Sequence, residues 1–188
     1  MIYGREVVMK ILLTAFEAFL NHHSNPTIDI VHALKSDDIQ TMVLPVVYQK
    51  AADLVIQEAL NESYDFILLL GLAGDRKDIT LEHHALNLMD AKGPDNEGMI
   101  KRFEIIDTKG PALYLSDLPY QTIIQDAEKE SKPISLSLSA GGYICNDTFY
   151  RVKNALKNQK VGFIHVPAAS VLDIKSQIET IQWIIQKL

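Results

Sequence analysis

The chain holds one cysteine, Cys145, among 188 residues. One thiol excludes an intramolecular disulfide, and a chain of this length can build a core without one. The lone cysteine therefore points to a reducing compartment, and a cytoplasmic location is expected. No apolar stretch approaches the roughly 20 residues of a membrane span. Met1–Lys10 lacks the apolar run and small-residue cleavage site of a secretory leader. Positive charge is in deficit, with 18 Lys and Arg against 24 Asp and Glu and a formal net charge of −6. That balance argues against nucleic acid or an anionic membrane as the main partner. Common motifs are missing too: there is no Gly-x-Ser-x-Gly elbow, no phosphate loop ending Gly-Lys-Ser/Thr and no Gly-x-Gly-x-x-Gly. No repeat, low-complexity tract or Pro/Gly/Ser linker divides the chain. The expected organisation is one domain over residues 9–188, with residues 1–8 as a candidate N-terminal extension.

What is present is a regular alternation. Ile11–Phe16 is a short apolar run and reads as a buried strand. Asn25-Pro26 opens a helix, Asn as cap and Pro at the first helical position, with Ile28, Val31 and Leu34 as its apolar stripe. Thr41–Val47 reads as a strand and Lys50–Leu60 as a helix with Leu54, Val55 and Ala59 on one face. Asp65–Gly71 is apolar on both faces and ends in glycine, as a central parallel strand does. Ile79–Met89 is strand-like, 93–98 is turn chemistry, Leu118–Lys129 is helical and Ile134–Leu138 is a strand. Asn146–Leu156 reads as a helix, Val161–Pro167 as a buried strand and Ile174–Leu188 as a final helix. Strands alternating with helices predict an α/β fold: an α/β/α sandwich with a twisted, largely parallel (mixed) sheet flanked by helices. Ligands in such folds sit beyond the carboxyl ends of the strands.

Three residues could carry chemistry there. Cys145 follows the glycine pair Gly141-Gly142 and precedes a helix. A thiol at a helix N-terminus meets unpaired backbone N–H groups and the positive dipole end, which favour the thiolate and could hold an oxyanion. The alternative is a buried, inert cysteine. His165 ends a buried strand just before Val166-Pro167, which places its imidazole at the sheet edge. It is either a general base or a core histidine bonded to a carbonyl. Glu82 lies in an apolar strand, where a carboxylate is costly unless paired. It is either the partner that orients a histidine or a solvated edge residue.

A rival reading joins Glu82, His83, His84 and Asp90 as metal ligands. Adjacent histidines on a strand point to opposite faces, and there is no His-Glu-x-x-His spacing. His22-His23 falls in a loop reading. No metal and no other cofactor is therefore expected. Gly71-Leu72-Ala73-Gly74 is a glycine-punctuated loop that either admits a ligand to the backbone or simply turns.

Taken together these segments resemble the pyroglutamyl-peptidase I (pyrrolidone-carboxylate peptidase) family of cysteine peptidases, in order, from about Lys10 to Pro167. Leu13–Phe19 is similar to that family's Thr-Gly-Phe-x-Pro-Phe stretch, and Gly71–Arg76 to its glycine loop. Ile79–Glu82 with Ala85–Asn87 resembles the segment carrying its glutamate, and Asp90–Gly98 its Asp-Ala-Arg-x-Pro-Asp-Asn-Glu-Gly turn. Ser139–Asn146 resembles the nucleophile segment and Gly162–Pro167 the histidine segment.

The resemblance implies a nucleophile at Cys145, a base at His165 and an orienting carboxylate at Glu82. It implies hydrolysis of N-terminal 5-oxoproline from peptides. It also implies a lactam pocket formed by Phe16, Phe19, Leu72, Tyr143 and Ile144 with Lys92, and a homo-oligomer, a tetramer. The chain departs from the pattern at Ala15, Ala18, Leu20-Asn21, Lys92, Gly93 and Gly142. Lys92 replaces an arginine and loses its planar fork, and Gly93 removes a bulky aliphatic from the expected pocket wall. These changes keep a second function open, a non-catalytic protein of the same fold that binds a lactam or peptide N-terminus. A metal-dependent hydrolase using Glu82, His83 and Asp90 is the third.

Overall fold

In the computed structural model residues 9–19 and 24–188 are described. The expectations for residues 1–8, for Leu20-Asn21 and for His22-His23 lie outside the described residues.

Chain order is β1 (Ile11–Phe16), α1 (Pro26–Leu34), β2 (Ile39–Leu44), α2 (Lys50–Asn61), β3 (Phe66–Leu72), β4 (Ile79–Glu82) and β5 (His84–Leu86). Then come β6 (Leu113–Leu115), α3 (Tyr120–Lys129), β7 (Ile134–Ser137), α4 (Ile144–Ala155), β8 (Val161–Val166) and α5 (Ile174–Ile185). Six strands form one sheet in the order β2-β1-β3-β8-β4-β7, and β5 pairs with β6 apart from it. β2, β1, β3 and β8 are parallel; β4 runs antiparallel to β8 and parallel to β7. The α/β sandwich with a largely parallel, mixed sheet is the fold expected from the alternation.

The period-2 geometry of a strand explains why β1, β3 and β8 are buried throughout and largely apolar. On one face, Leu12, Phe16, Ile67, Leu69 and Phe163 pack with residues of α2 and α4. On the other, Leu13, Ala15, Phe66, Leu68, Ile164 and Val166 pack with residues of α1, α3 and α5. Every position is therefore core, and none can be spent on solvent. The cap of α1 forms as its sequence suggests: the Asn25 side chain accepts from Thr27 N at 3.1 Å, with Pro26 at the first helical position.

Several boundaries differ from expectation. β2 starts at Ile39 and ends at Leu44 because its register with β1 runs from Ile11↔Ile39 to Phe16↔Leu44. The buried stripe of α1 is Thr27, Ile30, Val31 and Leu34, leaving Ile28 half-buried. In α2 the buried face is Ala51, Ala52 and Val55, and Leu54 is exposed. The segment Ile79–Met89 is two strands in two sheets, parted at His83. Helix α4 starts at Ile144, so Cys145 lies inside its first turn rather than before it.

Candidate active site

The site is built where β8 lies between β3 and β4. His165, the penultimate residue of β8, is in register with Gly71 on β3 and Thr80 on β4. Directly paired residues share a face, as do residues two apart on one strand. Glu82, two residues beyond Thr80, therefore lies on the same face as His165. There His165 Nδ1 and Glu82 Oε1 meet at 2.7 Å. Glu82 is fully buried and His165 nearly so. The carboxylate accepts at Nδ1, which leaves Nε2 as the free ring nitrogen.

Cys145 reaches the same place from above. No side chain caps α4 at Tyr143, so the first-turn N–H groups around the cysteine have no side-chain acceptor there. Gly71 makes the room: a Cβ on it would sit 2.9 Å from Cys145 Sγ and 3.0 Å from His165 Cδ2. Sulfur and the Nε2 side of the imidazole thus flank one point over a residue that has no side chain. The loop before α4 turns at Gly141, whose φ of +87° suits glycine. At Gly142 a Cβ would lie 2.6 Å from Asp90 O, so the Asp90 backbone fills the space a larger residue there would need.

A small apolar pocket opens beside the sulfur, lined by Phe16, Phe19, Val46, Leu72, Tyr143, Ile144 and Cys145. Tyr143 stacks near Phe19 and Tyr48, each with ring centres 5.9 Å away, and its hydroxyl donates to Pro94 O at 2.7 Å. Phe16, Phe19, Leu72, Tyr143 and Ile144 are thus brought together. Lys92 is not: it is exposed and stands outside the lining.

A family model described as pyroglutamyl peptidase matches residues 9–180. The chain belongs to the pyroglutamyl peptidase family. It is 35% identical over 167 residues to the pyrrolidone-carboxylate peptidase of Thermosipho africanus, covering 85% of this chain and 82% of that one. It is 36% identical over 168 residues to that of Thermoanaerobacter sp. strain X514, covering 85% and 82%. The crystal structure of Bacillus amyloliquefaciens pyroglutamyl peptidase I superposes with a TM-score of 0.87 at 29% identity, covering 94% of each chain. Pyrrolidone carboxyl peptidase from Thermococcus litoralis gives 0.87 at 27%, covering 95% of this chain and 92% of that one.

The electrostatics of this member of the pyroglutamyl peptidase family correct one expectation. Burial pushes the Cys145 thiol up to about 12, and the charge of Glu82 adds to the rise. Its own backbone N–H and Arg76 pull the other way without prevailing. The helix terminus acts in the expected direction but is outweighed by desolvation. Cys145 keeps part of its surface open, which tempers that penalty. For Glu82, burial raises the carboxyl pKa. The His165 hydrogen bond and charge, the Ser137 hydroxyl and the charge of Arg76 oppose it, and the net position is below the usual carboxylate range. Ser137 Oγ is engaged with Ser139, 3.2 Å from its carbonyl, and Glu82 Oε2 is left without a hydrogen bond.

The donors of the metal reading are committed elsewhere. Glu82 faces His165 and Arg76, and Asp90 accepts from Arg102 Nε at 2.6 Å. The two histidines do not point apart as a continuous strand would require. The break at His83 brings His83 Nδ1 and His84 Nε2 to 3.1 Å. Among the described residues no group of three or more His, Cys, Asp or Glu converges as metal ligands do.

Three site residues escaped the sequence reading. Asn146 Oδ1 accepts from Leu86 N at 2.8 Å, and its Nδ2 donates to Leu86 O at 2.8 Å and Leu88 O at 2.9 Å, clamping α4 to β5. Asp95 accepts from Met99 N at 2.8 Å, Glu97 N at 3.0 Å and Tyr48 N at 3.2 Å, holding the turn that carries Pro94. Val46 closes the pocket wall. An asparagine beside a nucleophile and an aspartate in a Pro-Asp-Asn turn were the available signals, and both look like ordinary capping chemistry without the fold.

Proposed function

We propose that this chain is a cysteine exopeptidase that hydrolyses N-terminal pyroglutamate from peptides through Cys145, His165 and Glu82. The observation that carries the reading is the 2.7 Å contact of His165 Nδ1 with buried Glu82, with Cys145 Sγ and His165 Cδ2 crowding one point over Gly71. Attack requires the thiol proton to leave. The S–H bond breaks as Nε2 of His165 takes the proton and sulfur bonds to the pyroglutamyl carbonyl carbon. Nε2 then protonates the departing amine as the C–N bond breaks, leaving a thioester. Water, giving its proton to Nε2, attacks that thioester, and 5-oxoproline leaves as the sulfur recovers the proton. Glu82 holds the ring and offsets its transient charge. The apolar pocket suits an uncharged lactam, and no free amine need be accommodated.

The peptidase unit spans residues 9–188 as one domain. It works in the cytoplasm, which fits a lone unpaired thiol, and it assembles as a homotetramer by analogy with its family. Among the described residues no helix is long and apolar enough to cross a membrane. Replacing Cys145 with alanine should abolish turnover of a pyroglutamyl amide; unchanged turnover rejects the mechanism. The non-catalytic binder draws support from exposed Lys92 outside the pocket. It predicts lactam binding with no Cys145-dependent turnover.

A further inference from the structure

Arg76 takes no part in the three-residue site as drawn above. It sits on the loop after β3, four residues beyond the pocket-lining Leu72, and its N–H donates to Ala73 O at 3.1 Å to close a tight turn. Its Nη1 donates to both Thr80 Oγ1 and Glu82 Oε1. The second of these is an ion pair with a side chain that is 0% exposed, while that of Arg76 is 26% exposed. Glu82 Oε1 therefore receives Arg76 Nη1, His165 Nδ1 and, at 3.5 Å, the Thr80 hydroxyl, and buried Oε2 receives no donor. A guanidinium facing a carboxylate freely would engage both oxygens. Here Thr80 fixes the guanidinium from the side, and every donor falls on one oxygen.

We propose that Arg76 is a positioning residue for the hydrolysis, holding the Glu82 carboxylate on His165 and screening its charge from Cys145. This rests on the function proposed above. A buried carboxylate with a neutral imidazole as its sole partner would be an uncompensated charge. In the reaction the ring is neutral, then cationic, then neutral again. A fixed cation lets Glu82 stay ionised through all three stages, so the proton taken from sulfur remains on Nε2 for the leaving amine. The titratable and charged groups facing the thiol are Glu82 on β4, His165 on β8, Tyr143 at the start of α4 and Arg76. Of the fields acting on the sulfur, that of Glu82 opposes ionisation and that of Arg76 favours it.

The test measures Cys145 alkylation by iodoacetamide across pH, together with turnover of a pyroglutamyl amide, in the full chain. In Arg76→Met the alkylation profile should move to higher pH by about one pH unit, the scale of a nearby charge. Turnover at neutral pH should fall about tenfold in kcat, one such unit being a factor of ten in thiolate, with KM changed less. Arg76→Lys, which keeps the charge, should restore most of the alkylation profile. A native profile and native kcat in Arg76→Met overturn the proposal.

If loss of the buried counter-charge prevents folding, the double variant Arg76→Met/Glu82→Gln removes both charges and avoids that penalty. In the Glu82→Gln background, where no carboxylate charge is left to position or screen, removing Arg76 should cost kcat clearly less than the tenfold it costs the native chain. A loss of tenfold or more in that background overturns the proposal. An active Cys145→Ala variant would instead sink the assigned function and leave the alkylation result to judge Arg76 by itself.

Discussion

Gly71 and Cys145 stand so close that no other residue fits at position 71 without moving the sulfur: the missing Cβ would lie 2.9 Å from Sγ. The same atom would lie 2.9 Å from Phe163 Cζ, a fully buried ring with little freedom to yield. Gly71→Ala should therefore cost about 1–3 kcal/mol of stability as an overpacked site. Its effect on turnover should be larger, about 100-fold, because a displacement of about 1 Å at a reacting centre costs that much. Thermal unfolding and pyroglutamyl amide turnover measure the two separately. Full activity in a folded alanine variant would show that sulfur and imidazole do not need the spacing Gly71 allows.

Glu82→Gln tests the buried carboxylate through pH. The folded-state pKa of Glu82 lies below its ordinary value of 4.5. Its stabilising contribution is thus complete above that value and is lost as pH falls through the lower folded value. The stability gap between the native chain and Glu82→Gln should be widest at neutral pH and should shrink in acid. Turnover should fall about 10²–10⁴-fold, the usual range for losing an orienting group or general base. A gap that stays constant across the acid range would mean Glu82 is not held ionised.

What the sequence made legible follows from how each strand is buried. β1, β3 and β8 feed both cores, so their unbroken apolar runs stand out. Cys145, His165 and Glu82 were visible because each breaks such a pattern: a thiol, an imidazole and a carboxylate beside apolar neighbours. β6 was lost, since three residues cannot display a period and Leu113 and Leu115 are exposed. The break at His83 was invisible because both halves of Ile79–Met89 are apolar enough to read as one strand. The thiol's upward displacement was also out of reach. A helix N-terminus can be read from a sequence, whereas the depth at which it is buried is a property of the packed fold.

Tyr143→Phe probes the pocket without touching the reacting groups. The hydroxyl donates to Pro94 O at 2.7 Å and fixes the ring against Phe19 and Tyr48. Pro94 is exposed, so water can replace the lost donor and little stability should be forfeited. The ring then has one restraint fewer. KM should rise about fivefold, equivalent to about 1 kcal/mol, with kcat close to native. Steady-state kinetics on a pyroglutamyl amide check this, and a kcat loss with native KM would place Tyr143 in the chemistry instead of the wall.

Asn146 decides whether the clamp between α4 and β5 supports the nucleophile beside it. Asn146→Ala strands Leu86 N and Leu88 O, while Leu86 O keeps Leu88 N at 2.8 Å, and should cost about 2–3 kcal/mol in urea unfolding. Asn146→Asp is more diagnostic. One oxygen can still accept from Leu86 N, but the other faces the carbonyl oxygens of Leu86 and Leu88, two acceptors that repel it. The introduced carboxyl must be protonated to satisfy them, so its folded pKa rises above its unfolded one. Relative to the native chain the variant should be better tolerated in acid and should lose stability as pH rises through the unfolded carboxylate pKa. The pH dependence is thus opposite to that expected of Glu82, although both positions are fully buried. If Asn146→Asp were equally stable at acid and neutral pH, the amide would not be donating to Leu86 O and Leu88 O, and the clamp between α4 and β5 would not be holding the nucleophile's helix.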